Sequence, residues 1–470
     1  MNFSWNIFID LGIISIALLA ATFIRAKVPF FQRYLIPNAL TAGFILLPVY
    51  NFLLPEIGIT TEGLGELVYH LLNISFISMT LRRSERQKGG RKSVAGIAVG
   101  LLSGYATQAF LGMVLTFLFI ATLTPNLFPG FGLYLPLGFA LGPGQAYAIT
   151  VGWEEFGVVG SGSVGLTFAA IGYLWACFGG VYLINRGIRK GWLSEDHIKT
   201  ITSQKVKRGV VLNKDERNCG SKLSTETEAI DSLSLHFGLV LSVYLITYLF
   251  LTGLTLLLTL IGPLGEDLAV NLWGIAFIFA GIWSIIIKKI MGLLGLGGLT
   301  DNATLNRISG SAVDLMVAAA VGAISLVVVS TYWLPILVIG VVGGLLSLIL
   351  IPWISSRMFK DHKFHRTLIV YGASTGTLPT GLALLRVIDP EFETPTASDY
   401  MYAAAFVFIT AIPFILMINL PAYGYTTGNP LYYWLTMGIC TAYVVACFIG
   451  YVILARKHSF KSPSRTWFKG

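Results

Sequence analysis

The apolar residues of this chain gather into blocks of about 18 to 30, the length a helix needs to cross a bilayer core of roughly 30 Å at 1.5 Å per residue. Eleven blocks predict full crossings: Trp5 to Ile24, Tyr34 to Leu54, Leu64 to Leu81, Val94 to Leu123, Val164 to Ile184, Leu235 to Ile261, Ala269 to Ile287, Ile308 to Ser330, Trp333 to Ile354, Met401 to Ala422 and Leu431 to Ala455. Two further stretches, Phe131 to Gly152 and Phe364 to Ile388, are long enough to cross but are interrupted midway by Gly, Pro, Ser and Thr. Composition agrees with lipid as the solvent. Of 470 residues, 55% are hydrophobic and 12% charged, against about a quarter charged in an ordinary soluble chain.

Charge decides the status of the interrupted stretches, because cytoplasmic loops collect Lys and Arg. If each stretch enters and leaves on one face, all 32 Lys and Arg fall on a single face. The opposite loops then carry Glu56, Glu62, Glu66, Glu154, Glu155, Glu266 and Asp267. A crossing by either stretch would move the basic segments after it, including Arg456 to Lys469, to the acidic side. The sequence therefore predicts two re-entrant hairpins, an outer N-terminus and a cytoplasmic C-terminus.

The N-terminal run has no basic residue before it and no small-residue cleavage site after it, so it is expected to stay as the first span. The net charge of +9 becomes a topology signal. Nucleic-acid binding is excluded, because the basic residues are scattered over separate short loops instead of sharing one face. Cys177, Cys440 and Cys447 lie in apolar stretches and Cys219 in a polar one, with no CxxC pair to suggest zinc or a disulfide framework.

An internal repeat follows from the order of elements. Residues 1–185 form a first membrane unit of five spans with a hairpin at 131–152, and residues 186–234 a polar cytoplasmic linker expected to be flexible. Residues 235–424 form a second unit with a hairpin at 364–388, and residues 425–470 an extra transmembrane helix with a basic tail. An odd number of spans inverts the second unit. The expected fold is an all-α integral membrane protein of two inverted five-helix repeats, an arrangement typical of secondary transporters.

The hairpins carry the candidate chemistry. The first contains Gly142, Gly144, Gln145 and Ala146, and the second Ser374, Thr375, Gly376, Thr377 and Thr380. Non-helical backbone at membrane depth survives only where protein or water satisfies it. The freed N–H groups of a half-helix start suit a carboxylate, and freed carbonyls with hydroxyls suit Na+. The competing reading is a Gly-rich packing kink. Candidate Na+ ligands are Asp314, Thr375, Asn38 and Asp10, since intramembrane acids are costly and usually functional. Against this, Asp314 could pair with a polar side chain, Asp10 could sit at the interface, and Asn38 could mark a kink after Pro37. Arg386, followed by Asp389, Glu391 and Glu393, reads as a salt-bridge partner. Gly160-Ser-Gly-Ser-Val-Gly165 follows no strand, and no GxxxxGK[ST] motif supplies ATP drive.

Over about the first 425 residues the chain resembles the bacterial sodium/glutamate symporter family. The likeness rests on Arg33-Tyr-Leu-Ile-Pro-Asn-Ala-Leu-Thr-Ala-Gly43, the two hairpins, Trp153-Glu-Glu-Phe-Gly157 and Asp389-Pro-Glu-Phe392. The helix Leu431 to Ala455 has no counterpart in that family. The resemblance implies Na+-coupled uptake of glutamate or a related amino acid or organic anion by alternating access, in a homodimer of the bacterial inner membrane, with no cofactor beyond Na+. The alternatives are a sodium/proton antiporter using Asp314 and a membrane protein without transport. An enzyme is not expected, because no His, Cys or Ser sits beside a plausible base within the spans.

Overall fold

The computed structural model describes residues 5–34, 36–83, 90–192, 208–210, 220–260, 262, 265, 269, 272–389 and 394–468. Among them the secondary structure is entirely helical. The first half runs α1 (Asn6–Lys27), α2 (Pro29–Tyr34), α3 (Asn38–Pro48), α4 (Glu62–Leu81), α5 (Arg91–Thr122), α6 (Tyr134–Pro136), α7 (Pro143–Gly152) and α8 (Ser161–Arg189). The second runs α9 (Ser232–Thr259), α10 (Ala276–Leu293), α11 (Asn302–Gly322), α12 (Leu326–Thr331), α13 (Trp333–Met358), α14 (Lys363–Thr375), α15 (Leu378–Ile388), α16 (Thr396–Met417), α17 (Leu420–Thr427) and α18 (Leu431–Ala455).

Nine helices among the described residues are long and apolar enough to cross a membrane. Two of the eleven expected crossings fall short for separate reasons. Helix α3 is 11 residues, lengthened by a π-helical turn at Val49–Leu53. Helix α11 has the length but carries Asn302, Asn306, Arg307 and Asp314, and is flanked by α3 and α4. Expected Ile308 to Ser330, it instead starts at Asn302, where the Asp301 carboxylate caps it by accepting from the Thr304 N–H at 2.8 Å. It ends at Gly322. The apolar run continues past that point, so hydropathy could not register the break. Asn51 satisfies the interrupted backbone, donating to the Ile324 carbonyl at 2.9 Å and accepting from the Leu326 N–H at 3.0 Å.

Contacts between loops sort the bundle into two ends. At one, Asn302 donates to the Arg83 carbonyl, Lys288 donates to the Thr80 carbonyl, and Trp192 stacks on Trp467 with centroids 4.2 Å apart. At the other, the Trp153 indole donates to Asn419 at 2.7 Å, Thr426 donates to the Phe156 carbonyl, and the Ser325 N–H donates to Ser163. Each of these contacts joins segments that the charge pattern assigns to one face. Residues 193–207 and 211–219 of the expected linker, with Cys219, lie outside the described residues, as do Glu266, Asp267, Glu391 and Glu393.

Both interrupted stretches are helix–break–helix pairs. The first leads through a 3-10 turn at Phe131–Leu133, α6 and a π turn at Leu137–Leu141 to Gly142, then reverses into α7. The second pairs α14 with α15 about a break at Gly376 and Thr377. Their backbones touch: a Cβ on Gly381 would lie 2.6 Å from the Ile369 carbonyl oxygen, so only glycine permits this approach. At the base of that pair, Arg366 makes a 2.8 Å ion pair with Asp399 of α16, with side chains 1% and 0% exposed. Arg366 also bonds the Asp361 carbonyl at 2.7 Å.

Candidate functional site

The two breaks meet. Gly142 has φ 89° and ψ 177°, a region essentially reserved for glycine. A Cβ there would lie 2.3 Å from Thr377 Cγ2 and 3.5 Å from the Gly376 carbonyl oxygen. The tip of the first pair is thus seated on the tip of the second, although the two are more than 230 residues apart in sequence.

Each tip leaves polar backbone available. Pro143, the first residue of α7, carries no N–H, and the Gly144 and Gln145 N–H groups precede the first intrahelical bond, from Ala146 to the Gly142 carbonyl. Across the junction, Thr377 caps α15 by accepting from the Thr380 N–H at 3.4 Å, and the two threonine hydroxyls are 3.0 Å apart. Thr375 donates its hydroxyl to the Tyr371 carbonyl at 2.8 Å. Gln108 of α5 donates to the Ser374 carbonyl at 2.8 Å and to Ser347 at 3.0 Å. The Ser374 hydroxyl and Gln108 Oε1 are buried without partners. The Tyr173 hydroxyl of α8 faces the Thr377 side chain but closes no well-formed hydrogen bond.

Asp314 is exposed although it lies in mid-helix of a packed bundle. It lies two residues before Met316, which packs beside Gly144 next to the junction. Asn306, Arg307, Gly310, Ser311 and Asp314 form an exposed stripe along α11, whereas residues 316–322 are buried. On α15 the less buried positions among the described residues are Thr380, Leu382, Ala383 and Arg386. The α11 stripe ends at Asp314, and the less buried positions of α15 begin at Thr380 beside the junction.

The candidates separate accordingly. Gly142, Gly376, Thr377 and Thr380 come together, with Asp314 nearby and Ser374 and Thr375 just behind. Gly144 is close to them in sequence but packs against Leu72 and Met316. Gln145 and Ala146 are buried, and the Ala146 carbonyl accepts from Thr150. Asp10 accepts a 2.5 Å hydrogen bond from the Tyr50 hydroxyl and packs against Gly63, at the acidic end of the bundle. Asn38 donates to Thr22 of α1 at 3.0 Å, and its Oδ1 is buried without a partner. Arg386 is exposed on α15. Gln108 and Tyr173 were not singled out from sequence. A glutamine inside the apolar block Val94 to Leu123 was a usable signal, whereas a tyrosine among apolar residues gave none.

Comparison with protein-family models, with curated proteins and with solved structures finds no match for the chain.

Proposed function

We propose that this protein is a secondary active transporter coupling Na+ entry to uptake of glutamate or a related amino acid or organic anion. The observation that carries the reading is the contact between the two helix breaks, Gly142 against Gly376 and Thr377. Broken segments of two inverted units that converge near the midplane form substrate and ion sites in such transporters. In this reading the α6–α7 pair enters from outside and the α14–α15 pair from inside. The N–H groups of Gly144 and Gln145 favour a carboxylate, and Asp314 with the threonine hydroxyls of the second break attracts the cation.

Labelled L-glutamate uptake into proteoliposomes, with and without an inward Na+ gradient, tests the proposal. Absence of gradient-driven uptake of glutamate, other amino acids or dicarboxylates would remove it. Asp314→Asn and Thr377→Ala are expected to raise the half-saturating Na+ concentration roughly tenfold, because hydrogen bonds and contacts to charged groups carry about 1.5–3 kcal/mol. Unchanged Na+ dependence in both would take them out of the site. Asp314, an exposed acid in mid-helix, also favours a second reading, Na+/H+ exchange without an organic solute. A proton flux driven by Na+ alone, lost in Asp314→Asn, would select that reading.

The orientation has its own test. A cysteine at Thr60 should react with an impermeant thiol reagent added outside intact cells, and cysteines at Ser221 and Ser464 should not. Outside labelling at Ser221 would refute the assignment of the first hairpin, and outside labelling at Ser464 alone that of the second.

A further inference from the structure

At the basic end, the C-terminal tail folds back beneath the bundle. Arg357, 3% exposed, lies 4.2 Å over the Trp353 ring and donates to the carbonyls of Lys461, Ser462 and Arg465. This latch closes one wall of a pocket of about 670 Å³ whose other wall is the end of α8. Arg186, Lys190 and Arg465 line it together with the hydroxyl-bearing Ser462, Ser464 and Thr466. Three cations and three hydroxyls thus face one space, and no acid is among these described lining residues. Arg186 and Lys190 also compensate the C-terminal dipole of α8. Arg465, which comes from the tail, has no such role. The Trp192 indole N–H is a buried donor without an acceptor, on a ring stacked against Trp467.

We propose that this pocket binds the phosphate of an anionic phospholipid headgroup. Phosphate oxygens match both the cations and the unmatched indole donor. The membrane is the favoured source because α8 offers an apolar approach. Phe178 and Tyr182 are 38% and 44% exposed, one turn apart, and Arg186 follows on the same face, donating to the Tyr182 hydroxyl at 3.0 Å. Tryptophans at headgroup level and basic pockets on the cytoplasmic side are recurring features of lipid recognition. The inference is independent of transport.

The test is native mass spectrometry of the full chain from nanodiscs holding equal phosphatidylglycerol and phosphatidylcholine with the same acyl chains. Wild type is expected to retain phosphatidylglycerol preferentially. R186Q/K190Q/R465Q should lose that preference by roughly fivefold per residue. It keeps the Arg465 carbonyl that holds the latch, and its thermal midpoint in zwitterionic detergent should match wild type. R91Q/K92Q/K289Q, equally neutralised outside the pocket, should keep the preference. Equal retention of both lipids, or equal loss in the two triple variants, would overturn the site. Displacement of phosphatidylglycerol by excess inorganic phosphate would overturn the lipid assignment in favour of a soluble anion.

Discussion

Gly142→Ala should lower Na+-driven glutamate uptake by roughly 100-fold, the loss that a displacement of about 1 Å at a positioned site can cause. The added methyl would overlap Thr377 Cγ2, 2.3 Å away. It would also impose an L-residue on φ 89°, ψ 177°, costing about 1–3 kcal/mol. The clash and the strain are separable. Thr377→Ser removes the Cγ2 methyl but keeps the hydroxyl that caps α15. Gly142→Ala/Thr377→Ser should therefore recover part of the lost uptake, while Thr377→Ser alone stays near wild type. If the double variant is no better than Gly142→Ala, with both monodisperse, the junction is not what limits transport. Gly144→Val and Gly376→Val are poorer probes. Their side chains would strike Leu72 and Met316, or Thr380, so a loss of function would report packing as much as ligand access.

The largest loss of stability is expected at the base of the second broken pair. Asp399→Ala would remove the buried one of the two carboxylates paired with the Arg366 guanidinium, and breaking a buried pair by removing one partner costs at most about 3–5 kcal/mol. Both side chains are almost wholly buried, so solvent screening does little to reduce this. The 2.9 Å ion pair with the exposed Asp361 carboxylate and the bond to its carbonyl remain and offset part of the loss. Equilibrium unfolding in mixed micelles, titrated with a denaturing detergent, measures the difference. Arg366→Met/Asp399→Leu, which removes both charges, should be markedly more stable than Asp399→Ala. A double variant as unstable as the single one would mean that the pair acts through shape and not through charge.

The candidate site was legible in part. The breaks stood out because Gly142-Pro-Gly144 and Gly376-Thr-Leu-Pro379 interrupt blocks that are otherwise long enough to cross. Asp314 stood out as an acid inside an apolar block. The same logic promoted Asp10, whose carboxylate is engaged by Tyr50, a residue 40 positions away with nothing in its local sequence to announce it. Asn38 was promoted by Pro37, and its amide instead ties α3 to α1.

What the chain alone determined was its solvent and its segmentation. Transfer from water to lipid is nearly additive over about 20 consecutive residues, so local composition is enough to mark the helices and the two places where they fail. The expected block Leu431 to Ala455 coincides with α18, and the stretch Phe131 to Gly152 ends where α7 ends. Only the tertiary structure decided which breaks touch, which acids are paired, and that the tail returns beneath α8. Those outcomes depend on side-chain packing and hydrogen-bond geometry between segments tens to hundreds of residues apart. Hydropathy, which scores each residue against lipid and not against another residue, carries no term for them.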